Sequence, residues 1–523
     1  MMPSGQRLRA LWSVALFYGK VMTERRSLLL PAGLALTLGG CASFTADGGL
    51  STAQSVASTE LGKSVAKITT DAEALTASGR ITQLMRRPLT ADAAVQIALL
   101  KNRGLQASFN DLGVSEANFV QATLPPVPRF TFDRLTGPGE LDVTYQLVAS
   151  LFDLATLPAR RTIAELRFRA AQYRAAEDVL RLAAEARRQY YRTIAANQTS
   201  GFLEQASASA ESASVLAKQL GETGALNKLE QAREHAFYSE LGAQLAKARV
   251  QQKVEREALI RLLGLWGQDT DFRLPGSLPA LPKRLESSAL LEARALRKRV
   301  DIQVARVDLD ALVGQYNLGV ATRFVSAFDV GFVSNPERTS TAGTSPNGTP
   351  TVVTDKIERN GFSLDVAIPI YDFGETAIRG AREAYFGAAN RLAERAVNAR
   401  SEVREAYLRY RGNYDITRHY QGTVLPLNKT IQDQALLQYS GMLVDVTQLI
   451  IDARSRILSN IQAIEAQRDF WIAATDLKAA IVGGGFGGGS DTGSGTGSFG
   501  GATAGGESGQ AGGGTIAAAT PGG

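Results

Sequence analysis

The chain repeats one pattern of secondary structure twice, and this duplication restricts the folds open to it. In the first copy, alternating apolar and polar residues at Leu141–Leu147 lead through Asp153 into a long helical pattern. In the second copy, Phe362–Ile368 lead through Asp372, which lies 219 residues after Asp153, into another helical pattern. Because a repeat constrains the whole architecture, we assign the elements copy by copy.

Long helices follow the alternating segment in each copy. Apolar residues recur every three or four positions from about 155 to 220 and again from about 381 to 410, which is typical of coiled-coil-like seams. A helix of 65 residues is roughly 100 Å long. Each pattern ends near glycine, at Gly221 and Gly224 in the first copy and at Gly441 in the second, before a second helical pattern begins. Glycine near a helix C-terminus predicts a turn, so each copy should form a pair of antiparallel helices.

The duplication also divides the chain into predicted segments. The copies occupy residues 88–265 and 287–482, with a proline-containing linker at 266–286. Within them, Ala232-Arg233 of the first copy matches Ala453-Arg454 of the second. Three segments lie outside the copies: a leader at 1–40, a Ser/Thr/Ala-rich surface tether at 41–87, and a tail at 483–523 with 19 glycines in 41 residues. The tail cannot bury enough apolar surface to offset its ordering entropy, so we predict that it is disordered.

The alternating segments predict one β-hairpin in each copy. The predicted loops are residues 133–140, around a Gly-Pro-Gly turn, and residues 334–360, which are rich in Ser, Thr, Pro, Gly and Asn. In the return strand of the second copy, Phe362, Leu364 and Val366 share one face and Asp365 lies on the other. This pattern fits the wall of a membrane β-barrel, with lipid outside and water inside. A sheet covering a soluble core fits it equally well.

The number of predicted strands constrains how the chain could assemble. Two hairpins supply four strands, whereas the smallest common membrane barrels have eight. An open sheet edge in lipid leaves backbone groups unsatisfied, at several kcal/mol each. If the strands lie in a membrane, the chain must therefore oligomerise, and three copies would supply twelve strands.

The N-terminus carries the features of an export signal. After Met22, two arginines precede an apolar stretch of 12 residues at Ser27–Leu38, which is too short to span a bilayer. Translation from Met22 would give a leader of ordinary length. The stretch ends in Leu38-Gly39-Gly40-Cys41, which resembles the bacterial lipobox and predicts lipidation of Cys41. The alternative is a buried, inert thiol. Because Cys41 is the only cysteine, an intrachain disulfide and a cysteine metal cluster are excluded.

Composition argues against several functional classes. The net charge is +6 at pH 7, but 52 basic and 50 acidic residues remain after residue 40, so charge gives no case for nucleic-acid binding. The only histidines are His235 and His419. No catalytic set, phosphate-binding glycine loop or metal-ligand spacing is present in the sequence. We therefore predict no enzyme activity and no cofactor or metal.

Between about residues 88 and 482 the sequence resembles the TolC-like outer-membrane efflux proteins. The motifs that carry the resemblance are Pro88-Leu89-Thr90, Leu151-Phe152-Asp153, Arg299-Val300-Asp301-Ile302, Ile370-Tyr371-Asp372, Gly224-Ala225-Leu226-Asn227-Lys228-Leu229 and Tyr439-Ser440-Gly441. The lipobox matches the acylated members, and Ala42 after the cysteine implies the outer membrane. Two departures stand out: Val300 replaces a usual proline, and Met442-Leu443 replace an arginine often found after the second-tip glycine.

The resemblance implies a mixed α/β membrane protein: a homotrimer whose twelve-stranded β-barrel, four strands per chain, continues into a long periplasmic α-helical barrel. The turns at Gly221, Gly224 and Gly441 would be periplasmic tips that contact an adaptor (membrane fusion protein) coupled to an inner-membrane pump. Asp445 and Asp452 are the implied lining of the periplasmic aperture, and ordinary solvated carboxylates are the alternative. The implied function is the exit duct of a tripartite efflux system. The alternatives are the outer-membrane component of type I protein secretion and a structural periplasmic coiled-coil lipoprotein without a pore.

Overall fold

The computed structural model describes most of the chain as long helices and one four-stranded sheet. The described residues are 43–224, 226–287, 290–348, 350–441, 443–444 and 446–485. Cys41, Asp445 and the glycine-rich tail after residue 485 lie outside them, so the expectations for these residues stay predictions. None of the helices within these ranges has the length and apolar composition needed to cross a bilayer.

Both copies have the order that the duplicated pattern predicts: helices, β-hairpin, long helix, returning helix. The first part of the chain contains α1 (Ser51–Val56), α2 (Asp71–Met85), α3 (Ala91–Lys101), α4 (Arg103–Thr123), β1 (Arg129–Gly137), β2 (Glu140–Ser150), α5 (Leu151–Glu222) and α6 (Lys228–Leu263). The second contains α7 (Leu291–Lys298), α8 (Val300–Ala321), β3 (Ala327–Thr344), β4 (Pro350–Ala367), α9 (Glu375–His419), α10 (Leu425–Ser440) and α11 (Val446–Val482). A π-helical turn at Tyr420–Val424 joins α9 to α10.

The matching aspartates of the two copies mark the junctions between strand and long helix. At the start of α5, the Ser150 hydroxyl accepts a hydrogen bond from the Asp153 amide, and Asp153 adds negative charge to the first turn. At the start of α9, the Asp372 carboxylate accepts hydrogen bonds from the amides of Gly374 and Thr376 at 3.0 and 3.3 Å. Both arrangements satisfy amides that a helix N-terminus leaves unpaired. The repeated aspartate is thus a signal for helix initiation.

The sheet is antiparallel throughout, in the order β1-β2-β3-β4. Its register places Phe130 opposite Leu147, Leu147 opposite Phe332, and Phe332 opposite Phe362. These four side chains therefore share one face, and that face is open to the surroundings, with Phe362 86% exposed. The other face carries acidic side chains: Asp142 opposite Glu337, and Asp329 opposite Asp365.

The predicted hairpin loops are wrong in length. The first connection is only Pro138-Gly139 rather than residues 133–140, and the second is residues 345–349 rather than 334–360. Strands β3 and β4 pair without interruption out to Thr344 and Pro350, five positions past the last pairing of β3 with β2. Val favours strands, and Thr is common both in strands and in polar loops. Cross-strand hydrogen bonds satisfy the backbone of these residues and extend the strands.

The main core lies where the helices that precede the first hairpin pack against the long helices. Ile97 and Leu99 of α3 are buried with Val179 of α5 and Leu259 of α6, and the Tyr190 hydroxyl donates to the Leu89 carbonyl at 2.8 Å. The segment predicted as a surface tether contributes to this core. Its buried members are Leu50, Ala53, Ala57, Val65 and Ile81. Residues 43–85 therefore dock on the helices through apolar contacts.

Candidate functional site at the helical tips

The predicted tip glycines lie at the turns between paired helices. Gly224 follows α5 with a φ of +75°, a left-handed conformation that favours glycine, and the Leu226 amide donates to the Leu220 carbonyl across the turn. Gly221 lies in the last turn of α5, where a Cβ would come within 2.8 Å of the Gln231 side chain. Gly441 follows α10 with a φ of −84° and so needs no left-handed backbone. The glycine signal located both turns but overstated the need for glycine at the second.

The helix that leaves the first tip has a well-formed start. The Asn227 side chain accepts a hydrogen bond from the Glu230 amide at 2.9 Å, which caps α6. This cap and Gly224 together explain why the turn occupies only five residues between α5 and α6. The returning helix is thereby fixed in direction close to α5.

Two arginines at equivalent positions of the copies link the two helical pairs. Arg233 of α6 donates to the Thr447 hydroxyl of α11 at 2.6 Å, and Arg454 of α11 donates to the Glu240 carboxylate of α6 at 2.8 Å. On each helix the two participants are seven residues apart, so they lie on one face, two turns apart. We call Arg233, Glu240, Thr447 and Arg454 the tip seam. The matching Ala-Arg dipeptides were visible in the sequence, but the partners were not.

Beside the tip seam is a cavity of about 460 Å³ between α5, α6, α10 and α11. Asp452, one of the two predicted aperture residues, lines this cavity, and its carboxylate accepts a hydrogen bond from Gln448 at 3.0 Å. Glu234 and Gln432, which sequence reasoning missed, also line the cavity. The Arg454 guanidinium lies over the Phe237 ring, 5.3 Å from its centroid, at one wall. The structure therefore brings Asp452 to the junction of the two copies.

Glu234 differs from the other carboxylates of the tips. Glu234 is only 9% exposed, and in the described ranges its carboxylate has no hydrogen-bond or ion-pair partner. Burial raises the pKa of its carboxyl group above the ordinary value, because a low-dielectric environment disfavours the charged form. The Gln432 Oε1 atom is also buried without a hydrogen-bond partner in the described part of the chain.

Away from the tips, two buried arginines form ion pairs: that of Arg188 joins the two copies, and those of Arg299 lie within the second copy. Arg188 of α5 forms an ion pair with Asp476 of α11 at 2.5 Å. Arg299, from the motif at the start of α8, donates to Asp301 at 2.7 Å and to Glu402 of α9 at 2.5 Å. Such charge-assisted hydrogen bonds fix geometry strongly. The Arg-Val-Asp motif is thus a packing element at the base of the second copy.

No group of three metal-ligating side chains occurs among the described residues. The His235 ring lies 2.9 Å from the Ser214 hydroxyl, which connects α6 to α5. Within the described ranges no carboxylate completes this pair as a catalytic set.

No protein-family model matches the sequence, and no curated protein matches it. Several solved structures share its architecture. A membrane protein from Pseudomonas aeruginosa aligns over 75% of this chain and 93% of its own, with 18% identity and a TM-score of 0.62. The Campylobacter jejuni CmeC outer membrane channel aligns over 75% and 86%, with 15% identity and a TM-score of 0.63. The open Neisseria gonorrhoeae MtrE outer membrane channel aligns over 75% and 88%, with 16% identity and a TM-score of 0.58. Likeness at this level of identity is likeness of fold.

Proposed function

Since the chain has the fold of the TolC-like outer-membrane channels, we propose that it forms the exit duct of a tripartite efflux system in the outer membrane. The observation that carries this proposal is the four-stranded sheet with an exposed apolar face and free edges. A passive duct needs a membrane-spanning wall and a route through the periplasm, and no catalytic group. The long helical pairs supply the route.

The sheet supports assembly as a homotrimer. Within the described residues, neither β1 nor β4 has a strand partner on its outer edge. An unpaired edge in lipid costs several kcal/mol for each backbone group, so β1 of one chain should pair with β4 of the next. Three chains give twelve strands, which is a barrel wide enough to hold a channel. The face with Phe130 and Phe362 would meet lipid, and the face with Asp142 and Asp329 would meet water.

Lipidation of Cys41 would add a second anchor to the barrel in the outer membrane. The helices would extend into the periplasm, where the turns at Gly221, Gly224 and Gly441 meet the adaptor. The tip seam and the aperture residues Asp445 and Asp452 would hold the inner end of the duct closed at rest. The adaptor and the inner-membrane pump would then determine what is exported.

The first test is the native mass of the detergent-extracted protein, together with its conductance in planar lipid bilayers. We expect a trimer that conducts and whose barrel resists heating in detergent. A monomeric, non-conducting protein would support the structural coiled-coil lipoprotein instead. Co-purification of the adaptor, followed by identification of the paired pump, separates efflux of small molecules from type I protein secretion.

The gate is tested separately from the duct. We expect Arg233→Ala and Arg454→Ala each to raise the conductance of the isolated channel, because each removes one link between the helical pairs. Arg249→Ala is the matched control, since Arg249 of α6 pairs with Glu204 of α5 inside one helical pair. Equal conductance in all three variants would refute the tip seam as a gate and leave the duct intact.

A further inference from the structure

The cavity beside the tip seam contains a buried acid that a passive duct does not require. Glu234 is 9% exposed and lines the cavity without a hydrogen-bond or ion-pair partner in the described ranges. A carboxylate that is largely withdrawn from water and has no ion-pair partner favours a bound proton or an opposite charge beside it. The cavity therefore favours occupants that can compensate Glu234.

The other lining residues indicate what kind of molecule could bind in the cavity. The Gln432 Oε1 atom of α10 is buried without a partner, and Asp452 of α11 supplies a second carboxylate. Most of the other lining side chains are apolar, among them Phe202, Phe237, Leu436 and Ile450, and Gln205 and Ser209 of α5 add neutral polar groups. Acceptor oxygens set in an apolar wall match a cation that carries a hydrophobic body.

The charged groups that line the cavity are few. Helix α6 contributes Glu234, and α11 contributes Asp452 and Arg456, whereas the lining from α5 and α10 is uncharged. Arg454 lies over the Phe237 ring and is paired with Glu240. Burial raises the pKa of the Glu234 carboxyl group, and within the described ranges Arg456 forms no ion pair with it. The lining thus keeps one excess negative charge, placed at Glu234.

We propose that this cavity binds a monovalent organic cation with an aromatic or aliphatic body. The cationic centre pairs with the Glu234 carboxylate and donates a hydrogen bond to the Gln432 Oε1 atom. Its apolar body contacts Phe202 and Phe237. A volume of about 460 Å³ lies within the range of small-molecule sites. Aromatic rings also attract cations through their π faces.

The site lies within one chain, between the helical pairs of the two copies. A bound cation would contact Glu234 of the first pair and Gln432 or Asp452 of the second, and so would stabilise their association. Binding itself does not rest on the proposed duct function, because it needs only the described fold. Its failure and the failure of the duct are therefore distinguishable.

The test is isothermal titration of the detergent-solubilised full chain with benzylammonium, whose N–H groups can donate to these oxygens, and with benzenesulfonate as an anion of similar size. We expect binding of the cation and none of the anion. Glu234→Gln should weaken cation binding about tenfold, since it removes a charge-assisted contact. Glu211→Gln is the matched control, because Glu211 is exposed on α5 and does not line the cavity. Equal weakening by both variants would overturn the proposal.

Two further measurements locate the site and identify the titrating group. Ala453→Met fills the cavity without changing charge, so it should also weaken binding, and unchanged affinity in this variant would refute the cavity as the site. Because a bound cation favours ionised Glu234, binding should release protons, detected as a dependence of the titration heat on the buffer. Proton release that persists unchanged in Glu234→Gln would refute the assignment of Glu234.

Discussion

Breaking the ion pair between Arg188 and Asp476 tests how the two copies are held together. The pair joins α5 to α11 across 288 residues of sequence, and its side chains are only 10% and 9% exposed. Asp476→Ala leaves the Arg188 guanidinium buried, with the Gly485 carbonyl at 2.7 Å as its remaining hydrogen-bond acceptor. Breaking a buried pair by removing one partner costs about 3–5 kcal/mol, because the remaining charge is uncompensated.

A matched control separates burial from pairing. Arg249 and Glu204 form a pair of similar length, 2.6 Å, but their side chains are 52% and 62% exposed. Glu204→Ala should therefore change the free energy of unfolding by only about 0–1 kcal/mol. The double variant Arg188→Met, Asp476→Leu should recover most of the stability that Asp476→Ala loses, because it removes both charges and keeps apolar volume.

The assay is urea unfolding in detergent, followed by the helical circular dichroism signal, for the wild type and these three variants. The expected order of stability is wild type, Glu204→Ala and the double variant close together, with Asp476→Ala well below them. If Asp476→Ala and Glu204→Ala lose the same free energy, the reasoning about an uncompensated buried charge is refuted.

Three other predictions concern Glu177, Cys41, and the two aspartates at 445 and 452. Burial, and then the nearby Asp301 charge, raise the pKa of Glu177 from 4.5 to about 7. The proton that the folded state holds on Glu177 therefore contributes stability that is complete below pH 4.5 and is lost as pH rises to about 7. Glu177→Gln should remove this dependence, worth up to about 3 kcal/mol, as measured by urea unfolding against pH. Cys41→Ser should abolish labelling by radioactive palmitate yet leave trimers on native gels, and lost trimers would contradict the barrel as main anchor. Neutralising Asp445 and Asp452 together should raise bilayer conductance, and unchanged conductance would reject them as the aperture.

The parts of the fold that depend on local pattern could be predicted from the sequence. Helix periodicity, strand alternation and the tip glycines located the long helices, both hairpins and both turns. The hairpin loops were overestimated because Ser and Thr occur both in loops and in exposed strands. The π-helical turn at Tyr420–Val424 was missed, although Gly422 within it and Pro426 after it mark a weak point in a helix.

The parts of the site that depend on long-range packing could not be predicted. Glu234 lies in a polar run of α6 that predicts a solvated face, yet it is buried where α6 meets α5, α10 and α11 at the cavity. The same holds for the seam, since Thr447 and Glu240 have no sequence feature that marks them as partners of the arginines. Asp452 was proposed through the resemblance, and the structure adds that it lines the cavity beside the tip seam.

The strength of the tip seam bears on how the proposed gate would open. One link is a hydrogen bond from Arg233 to a neutral hydroxyl, and the other, between Arg454 and Glu240, is an ion pair whose side chains are 49% and 52% exposed. Because Arg233, Arg454 and Glu240 are exposed to solvent, each link contributes roughly 1 kcal/mol or less. An adaptor that binds the open tips about ten to thirty times more tightly than the closed ones would offset both. Two weak links between the helical pairs therefore suit a closed state that a partner can release. The buried Arg188–Asp476 pair would keep the two copies joined while the tips open.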